Sequence, residues 1–262
     1  MSELRIYAEK QMSSALHLLE EYNSASDKEV LHQLRVGLKK VKAVLDYLRT
    51  LNPRKIKSLR KKLQLVFHAA GSLREAQLRF DWLKGKQFLI LIQHAFLEQK
   101  IREEEELFVT QKKDHLKLLK SISVELDRYL KEVEEKDLSR YVLALKREVE
   151  VRSQVVAKEG WHGLRKLIKQ LLYAHHWLAE QDKIKVLTVA AYKRLDQLQE
   201  KIGAWHDAVD LLAWLADGQF FLSKDKSVKQ QFNKAFALVQ KDIDVKEKAV
   251  LKQLQAMKKP VK

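Results

Sequence analysis

Hydrophobic residues return along this chain every three to four positions, which is the spacing of one face of an α-helix. The clearest case is the stretch from His32 to Arg49. Its apolar residues share one arc of a helix drawn at about 100° per residue, and they are Leu34, Val41, Val44, Leu45 and Leu48. This stretch is therefore predicted to be an amphipathic helix with one face in a core.

The same periodicity predicts eight helices, separated by proline, glycine and charged turns. They cover Glu3 to Glu20, Lys28 to Leu51, Lys55 to Leu83, Lys86 to about Leu130 (with a break near Thr110 as an open alternative), Asp137 to Val156, Gly160 to Ala179, Asp182 to Ala216 and Lys224 to Met257. No sustained alternation of β-branched residues occurs, so we predict an all-α fold. Four helices in each half indicate two four-helix bundles.

The two halves of the chain are related in sequence. The stretch 32–48 aligns with 162–178, and the stretch 69–83 aligns with 201–215. Two matches in the same order indicate an internal duplication. We place the boundary in the charged run 131–136, which gives one repeat over residues 1–133 and a second over residues 134–262.

A row of cations lies beside the apolar arc of the stretch from His32 to Arg49. Its members are His32, Arg35, Lys39, Lys42 and Arg49, and the second repeat has His162, Arg165 and Lys169 at the same spacing. Cations on successive turns suit a ligand that is itself a row of anions, because each anionic group can meet its own donor. A lone histidine is usually a core or capping residue, but the repetition of all three residue types favours a binding site.

Further cations follow each row. Arg60 and Lys61 lie in the basic run 54–62, and Lys193 and Arg194 align with positions 61 and 62. Such runs are usually solvated helix faces, so a binding role and a merely solvated one are both open for these residues.

Each repeat also places a glycine inside a predicted helix, followed by a carboxylate. Gly71 aligns with Gly203, and Glu75 aligns with Asp207. Glycine inside a helix costs stability, so these two are predicted to permit close helix approach or a local kink. The carboxylates are predicted to be structural, with orientation of the cation rows as the alternative.

Charge narrows the class of partner. Lys and Arg number 51 against 35 Asp and Glu, a net charge of +16, which favours a nucleic acid, an acidic membrane or an inorganic polyanion. There is no cysteine, which excludes disulfides and thiolate metal sites. No signal-peptide core or membrane-length apolar stretch occurs, so we predict a cytoplasmic protein without a membrane partner.

Known catalytic and metal-binding patterns are missing from the sequence. There is no glycine-rich phosphate loop, nucleophile elbow or metal-binding carboxylate set, and the adjacent His175 and His176 point in different directions on a helix. We therefore predict no catalytic residue, no metal and no cofactor. The aromatic residues Tyr47, Trp82, Tyr173, Trp177, Trp205 and Trp214 lie among Leu and Ala and are predicted to be core, which disfavours nucleic acid without excluding it.

The duplicated H-x-x-R-x-x-x-K motif at 32–39 and 162–169, with the G-x-x-R-E and G-x-x-H-D segments at 71–75 and 203–207, resembles the CHAD (conserved histidine α-helical domain) family. The resemblance implies that both repeats form one CHAD domain: two four-helix bundles related by pseudo-twofold symmetry, with a basic groove or pore between them that binds inorganic polyphosphate. It also implies association with polyphosphate granules. The implied anion site consists of His32, Arg35, Lys39, Lys40, Lys42, His162, Arg165, Lys169 and Tyr173.

The leading hypothesis is thus non-catalytic binding of inorganic polyphosphate. A basic RNA- or DNA-binding protein is the first alternative, and a polyphosphate or triphosphate hydrolase is the second. The second repeat departs from the family pattern at Leu172, His176 and His206, so we expect it to hold the ligand less tightly.

Overall fold

The computed structural model describes residues 2–23, 27–218 and 223–258. Within these ranges the chain forms helices and no strand, which confirms the predicted all-α class. The helices are α1 (Glu3–Glu21), α2 (Lys28–Leu51), α3 (Pro53–Gly85), α4 (Leu89–His94), α5 (Leu97–Thr110), α6 (Lys112–Leu130), α7 (Glu135–Val155), α8 (Trp161–His175), α9 (Glu180–Val186), α10 (Val189–Asp217) and α11 (Lys226–Lys258), with a 3₁₀ turn at Lys158–Gly160.

The chain divides into two compact units. The first unit consists of Met1–Gly85 and Phe96–Leu138, and the second unit consists of Lys86–Ala95 and Ser139–Lys262. The short helix α4 therefore belongs to the second unit, where it packs against α11. The internal duplication, which rests on the sequence alignment, stays a prediction. So do the two four-helix bundles and the basic groove that the family resemblance implies.

Two of the predicted helices are divided in the structure. The one expected from Lys86 is interrupted at Phe96, whose φ of 49° ends α4 and precedes α5; the alternative break near Thr110 is confirmed. The helix expected from Asp182 to Ala216 is divided before α10. There the Thr188 side chain accepts a hydrogen bond from the Ala191 backbone N–H at 3.2 Å, an N-cap that starts a new helix.

In the first unit, α2 packs between α1 and α3, and α6 packs against both of those helices. The predicted apolar arc of α2 is buried, as shown by the near-zero exposure of Leu34, Val41, Val44, Leu45 and Leu48. Helices α2 and α3 run antiparallel from the turn at Asn52. The Lys28 Nζ to Asp81 Oδ1 ion pair, 2.6 Å long, joins their far ends. This pairing fixes which residues of α3 face the cations of α2.

In the second unit, α10 packs against both α8 and α11. Trp161 at the start of α8 meets Trp205 of α10 edge to face, with 5.0 Å between ring centroids. Tyr47, Trp177 and Trp205 are buried as predicted, whereas Trp82, Tyr173 and Trp214 are only half-buried. Helices α8 and α10 run antiparallel, because the start of α8 contacts a later part of α10 and the residue after α8 contacts the start of α10. Helices α2 and α3 of the first unit are also antiparallel.

A buried histidine links the stability of the first unit to pH. His115 of α6 packs against Phe108, with ring centroids 5.5 Å apart, and its Nδ1 has no hydrogen-bond partner among the described residues. Burial lowers the pKa of the His115 imidazole, with Asp114 acting in the opposite sense. The fold therefore favours the neutral ring.

We predict that His115→Phe reduces the loss of stability in acid. A lowered pKa in the folded state means that the stabilising contribution is present above the unfolded pKa of about 6.5 and is lost as the pH falls below it. Urea unfolding at about pH 7.5 and about pH 5.5 measures this. The difference in unfolding free energy between the two pH values should shrink in His115→Phe. It should be unchanged in Val124→Ala, which alters an exposed side chain of α6 that carries no titrating group. An unchanged difference in His115→Phe would contradict the prediction.

Candidate functional site

The predicted cation row of the first unit follows one side of α2. His32, Lys42 and Arg49 are exposed, and Arg35, Lys39 and Lys40 are half-buried. A polar row next to a fully buried apolar arc is what an amphipathic helix presents where its core-facing and solvent-facing sides meet. Two of the half-buried members, Arg35 and Lys39, lie against α3.

Arg35 and Lys39 converge on one residue of α3. Arg35 Nη1 donates a hydrogen bond to the Phe67 carbonyl oxygen at 3.0 Å, and Arg35 Cζ lies 4.5 Å from the Phe67 ring centroid. Lys39 Nζ lies 5.9 Å from the same ring. Burial lowers the pKa of Arg35, Glu75 opposes this, and Arg74 adds to it. Two cations on successive turns are thus held together by one aromatic ring.

Two other predicted site residues of this unit share a carboxylate. Lys42 Nζ lies 2.8 Å from Asp46 Oδ2, and Arg60 Nε lies 2.7 Å from Asp46 Oδ1. Asp46 therefore neutralises part of the charge of both. Lys61 is exposed on α3, whereas its neighbour Lys62 turns away to Glu125 of α6 at 2.8 Å.

In the second unit, α8 carries His162, Arg165, Lys169 and Tyr173, all of them half-buried. Arg165 Nε donates to the Gln199 carbonyl oxygen of α10 at 3.2 Å. Lys169 Nζ lies 5.7 Å from the Tyr173 ring centroid. An arginine bonded to the backbone of the neighbouring helix, with a lysine one turn further on, therefore occurs in both units.

Burial affects the titrating groups of α8. It lowers the pKa of Lys169, and Arg165 adds to this, whereas Asp196, Asp207 and Glu200 oppose it. Burial also raises the pKa of the Tyr173 hydroxyl to about 12. Asp207 thus favours the charged form of Lys169, and Glu75 favours the charged form of Arg35 in the first unit.

A histidine pair that the sequence interpretation missed lies at the start of this row. The His162 and His206 rings are 4.3 Å apart, and His206 Nδ1 lies 2.8 Å from Asp210 Oδ2. Burial lowers the pKa of His162, as do His206, Lys166 and Arg165, against the effect of Asp210. The G-x-x-H-D segment contained a signal for this pair, because its His206 aligns with Arg74 of the first repeat.

The second unit has no carboxylate at the position that aligns with Asp46, where His176 stands. At the aligned positions, a 3.1 Å hydrogen bond joins His176 Nε2 and Tyr192 Oη, and Leu172 is buried where the first unit has Lys42. Lys193 is exposed on α10, and Arg194 Nε contacts the Ala190 carbonyl of its own helix at 3.4 Å. This row therefore has fewer cations than that of the first unit.

The part of the chain that the structure describes contains no cluster of three or more His, Asp or Glu residues arranged to hold a metal ion. None of its helices combines the length and apolar character needed to cross a membrane.

Comparison with known proteins identifies the family. No curated protein matches the chain. Among solved structures, PptA from Streptomyces chartreusis is similar, with a TM-score of 0.69 at 14% sequence identity over 97% of this chain and 98% of that one. At that identity the likeness establishes the fold alone. The CHAD domain pattern matches residues 7–216, a range that includes both cation rows. The chain therefore belongs to the CHAD domain family.

Proposed function

We propose that this chain binds inorganic polyphosphate through the cation rows of α2 and α8, without hydrolysing it. One observation carries the proposal: in each unit an arginine and a lysine on successive turns of one helix are half-buried next to each other. Like charges at this spacing repel each other, and burial adds a desolvation cost. A polyanion that contacts both groups offsets this cost, which gives the arrangement a function.

The geometry of the arginines suits phosphate. A guanidinium has five N–H donors in a rigid fork, and Arg35 and Arg165 each donate to a backbone carbonyl with part of that fork. The remaining donors can form bidentate bonds to phosphate oxygens, and the lysine of the next turn adds a mobile point charge. His32, Lys40, Arg49 and Lys61 extend the row of the first unit, and Lys193 and Arg194 extend that of the second. We expect Lys42 and Arg60 to contribute less, because both are paired with the Asp46 carboxylate.

The aromatic residues favour inorganic polyphosphate over nucleic acid. Proteins that bind single-stranded nucleic acid stack bases on accessible aromatic rings. Here Arg35 lies over the Phe67 ring, Lys169 lies near Tyr173, and Trp177 is buried. A phosphate chain needs no stacking surface, and membership of the CHAD family favours the same ligand.

The carboxylates near the rows favour binding over hydrolysis. Metal-assisted phosphoryl transfer needs carboxylates that can hold a divalent cation beside the phosphates. Asp46 is engaged by Lys42 and Arg60, and Asp196 accepts a hydrogen bond from Gln199 Nε2 at 2.9 Å. We therefore propose a binding protein, with a hydrolase as the alternative that the experiment below distinguishes.

We predict that the double variant Arg35→Ala with Arg165→Ala weakens polyphosphate binding at least about tenfold, or about 1.4 kcal/mol. The reason is that it removes the bidentate donors of both rows. Calorimetry against polyphosphate of defined length measures the affinity, and circular dichroism should show unchanged helicity.

The matched control is Arg128→Ala with Arg147→Ala, which removes the same charge from exposed positions on α6 and α7. Its affinity should stay within about twofold of wild type, because scattered surface charge contributes only long-range attraction. Equal losses in the two double variants would mean that net charge, and not the rows, carries the binding.

We predict that single-stranded RNA does not displace long-chain polyphosphate at equal phosphate concentration. The Phe67 ring beside the first row already lies under Arg35, so a base would have to displace the cation to stack there, and we expect RNA to compete mainly by charge. A competition titration with labelled polyphosphate measures this, and the same mixtures incubated with Mg²⁺ should release no orthophosphate above the buffer rate. Displacement by RNA would favour the nucleic-acid alternative, and steady orthophosphate release would favour the hydrolase.

We predict that polyphosphate affinity rises as the pH falls from about 7.5 to about 6, in part through His162. The pKa of His162 is lowered in the free protein, and a bound phosphate favours the protonated ring, so binding takes up a proton. The variant His162→Asn with His206→Asn should flatten the pH dependence, whereas His17→Gln should keep it. An unchanged slope in the former would exclude this pair as its source.

A further inference from the structure

Each cation row meets a glycine of the neighbouring helix. A Cβ atom at Gly71 of α3 would lie 2.6 Å from Arg35 Nη1, and one at Gly203 of α10 would lie 2.8 Å from both Nε and Nη2 of Arg165. Real Cβ atoms do not approach other atoms so closely. The prediction of close helix approach or a kink stays a prediction, and the structure adds a specific feature: an arginine side chain occupies the space where each glycine's own side chain would be.

The missing side chain also exposes a hydrogen-bond acceptor. In an α-helix the Cβ points toward the N-terminus and covers the preceding turn. The carbonyls one turn before the two glycines belong to Phe67 and Gln199, and these accept the bonds from Arg35 and Arg165. A carbonyl oxygen has two lone pairs, so it can accept an arginine N–H in addition to its intrahelical bond. We call each combination of glycine and exposed carbonyl a guanidinium slot.

We propose that Gly71 and Gly203 are positioning residues for anion binding, which hold the guanidinium groups of Arg35 and Arg165 in these slots and present their remaining N–H donors in a fixed direction. The proposal rests on the polyphosphate function proposed above. An unrestrained surface arginine loses rotamer freedom when it binds a ligand, and that loss weakens affinity. A side chain already held by a backbone carbonyl has lost this freedom before the ligand arrives. The slot recurs at aligned positions of both units, which argues against coincidence.

The guanidinium slot predicts how replacing its glycine by alanine affects the arginine and the helices. In Gly71→Ala the atom in conflict is the end of a flexible side chain, so the guanidinium moves and the helices stay in place. The carbonyl bond is lost, and the arginine becomes an ordinary mobile cation. Alanine also has a higher helix propensity than glycine, so the backbone itself is stabilised by the change. In Gly71→Ala, affinity is therefore expected to fall while stability stays close to that of the wild type, which separates positioning from a general loss of structure.

The first measurement is a double-mutant cycle of polyphosphate affinity for Gly71→Ala and Arg35→Ala, by calorimetry. We expect Gly71→Ala to weaken binding at least about threefold, and the double variant to bind no more weakly than Arg35→Ala alone. Gly37→Ala is the control, since a Cβ there would lie 3.7 Å from its nearest neighbour, Ala15 Cβ, an ordinary contact. Wild-type affinity in Gly71→Ala, or an equal loss in both backgrounds, would overturn the proposal.

The second measurement needs no ligand. In the Arg35→Ala background the slot is empty, so Gly71→Ala should raise Tm by about 2–4 °C through helix propensity. With Arg35 present, the lost carbonyl bond should cancel most of that rise. Equal shifts in both backgrounds would overturn the slot itself. If the wild-type chain binds no polyphosphate, the proposed function fails, and this thermal cycle still decides whether Gly71 holds Arg35. The same cycle with Gly203 and Arg165 tests the second unit.

Discussion

The arrangement of both units depends on keeping positive side chains half-buried on successive helical turns. Such charges repel each other and lose hydration, and a nearby carboxylate that cancelled them would also remove their attraction for an anion. In both units the arginine instead bonds to an uncharged acceptor, the carbonyl of Phe67 or of Gln199. A carbonyl satisfies the N–H donors while leaving the charge in place. The antiparallel pairing of helices and the buried apolar arc of α2 bring that acceptor within reach.

The two units differ in how carboxylates are placed around their half-buried cations. In the first, the carboxylate of Asp46 is confined to one end of the row, where it engages Lys42 and Arg60. In the second, three carboxylates act on Lys169, and the positions aligned with Lys42, Asp46 and Arg60 hold Leu172, His176 and Tyr192. We expect the first unit to supply most of the electrostatic attraction, and the second to contribute a histidine pair whose charge depends on pH.

The sequence predicts those features that depend on local periodicity, and misses those that depend on tertiary register. The apolar arc of α2 was predictable because helical spacing alone determines which side faces the core. Phe96 was not, because a bulky residue with positive φ has no local signal comparable to glycine. The Thr188 cap had a signal, since threonine is a favoured N-cap residue, but it lay inside a continuous periodic pattern. Lys42 and Asp46 are visibly one turn apart, whereas the contact with Arg60 and the guanidinium slots exist only once α3 and α10 have docked.

The assignment of α4 to the second unit has a consequence for how the chain is made. This helix leaves the ribosome between two segments of the first unit, long before its packing partner α11, which lies near the C-terminal end of the chain. Domains usually fold in the order of synthesis, N-terminal first. Here the first unit must complete itself around an inserted helix whose packing partner has not yet been made. The side chains of Leu91 and Ile92, which are buried in the folded chain, are therefore open to chaperones or to misassociation until α11 has been made.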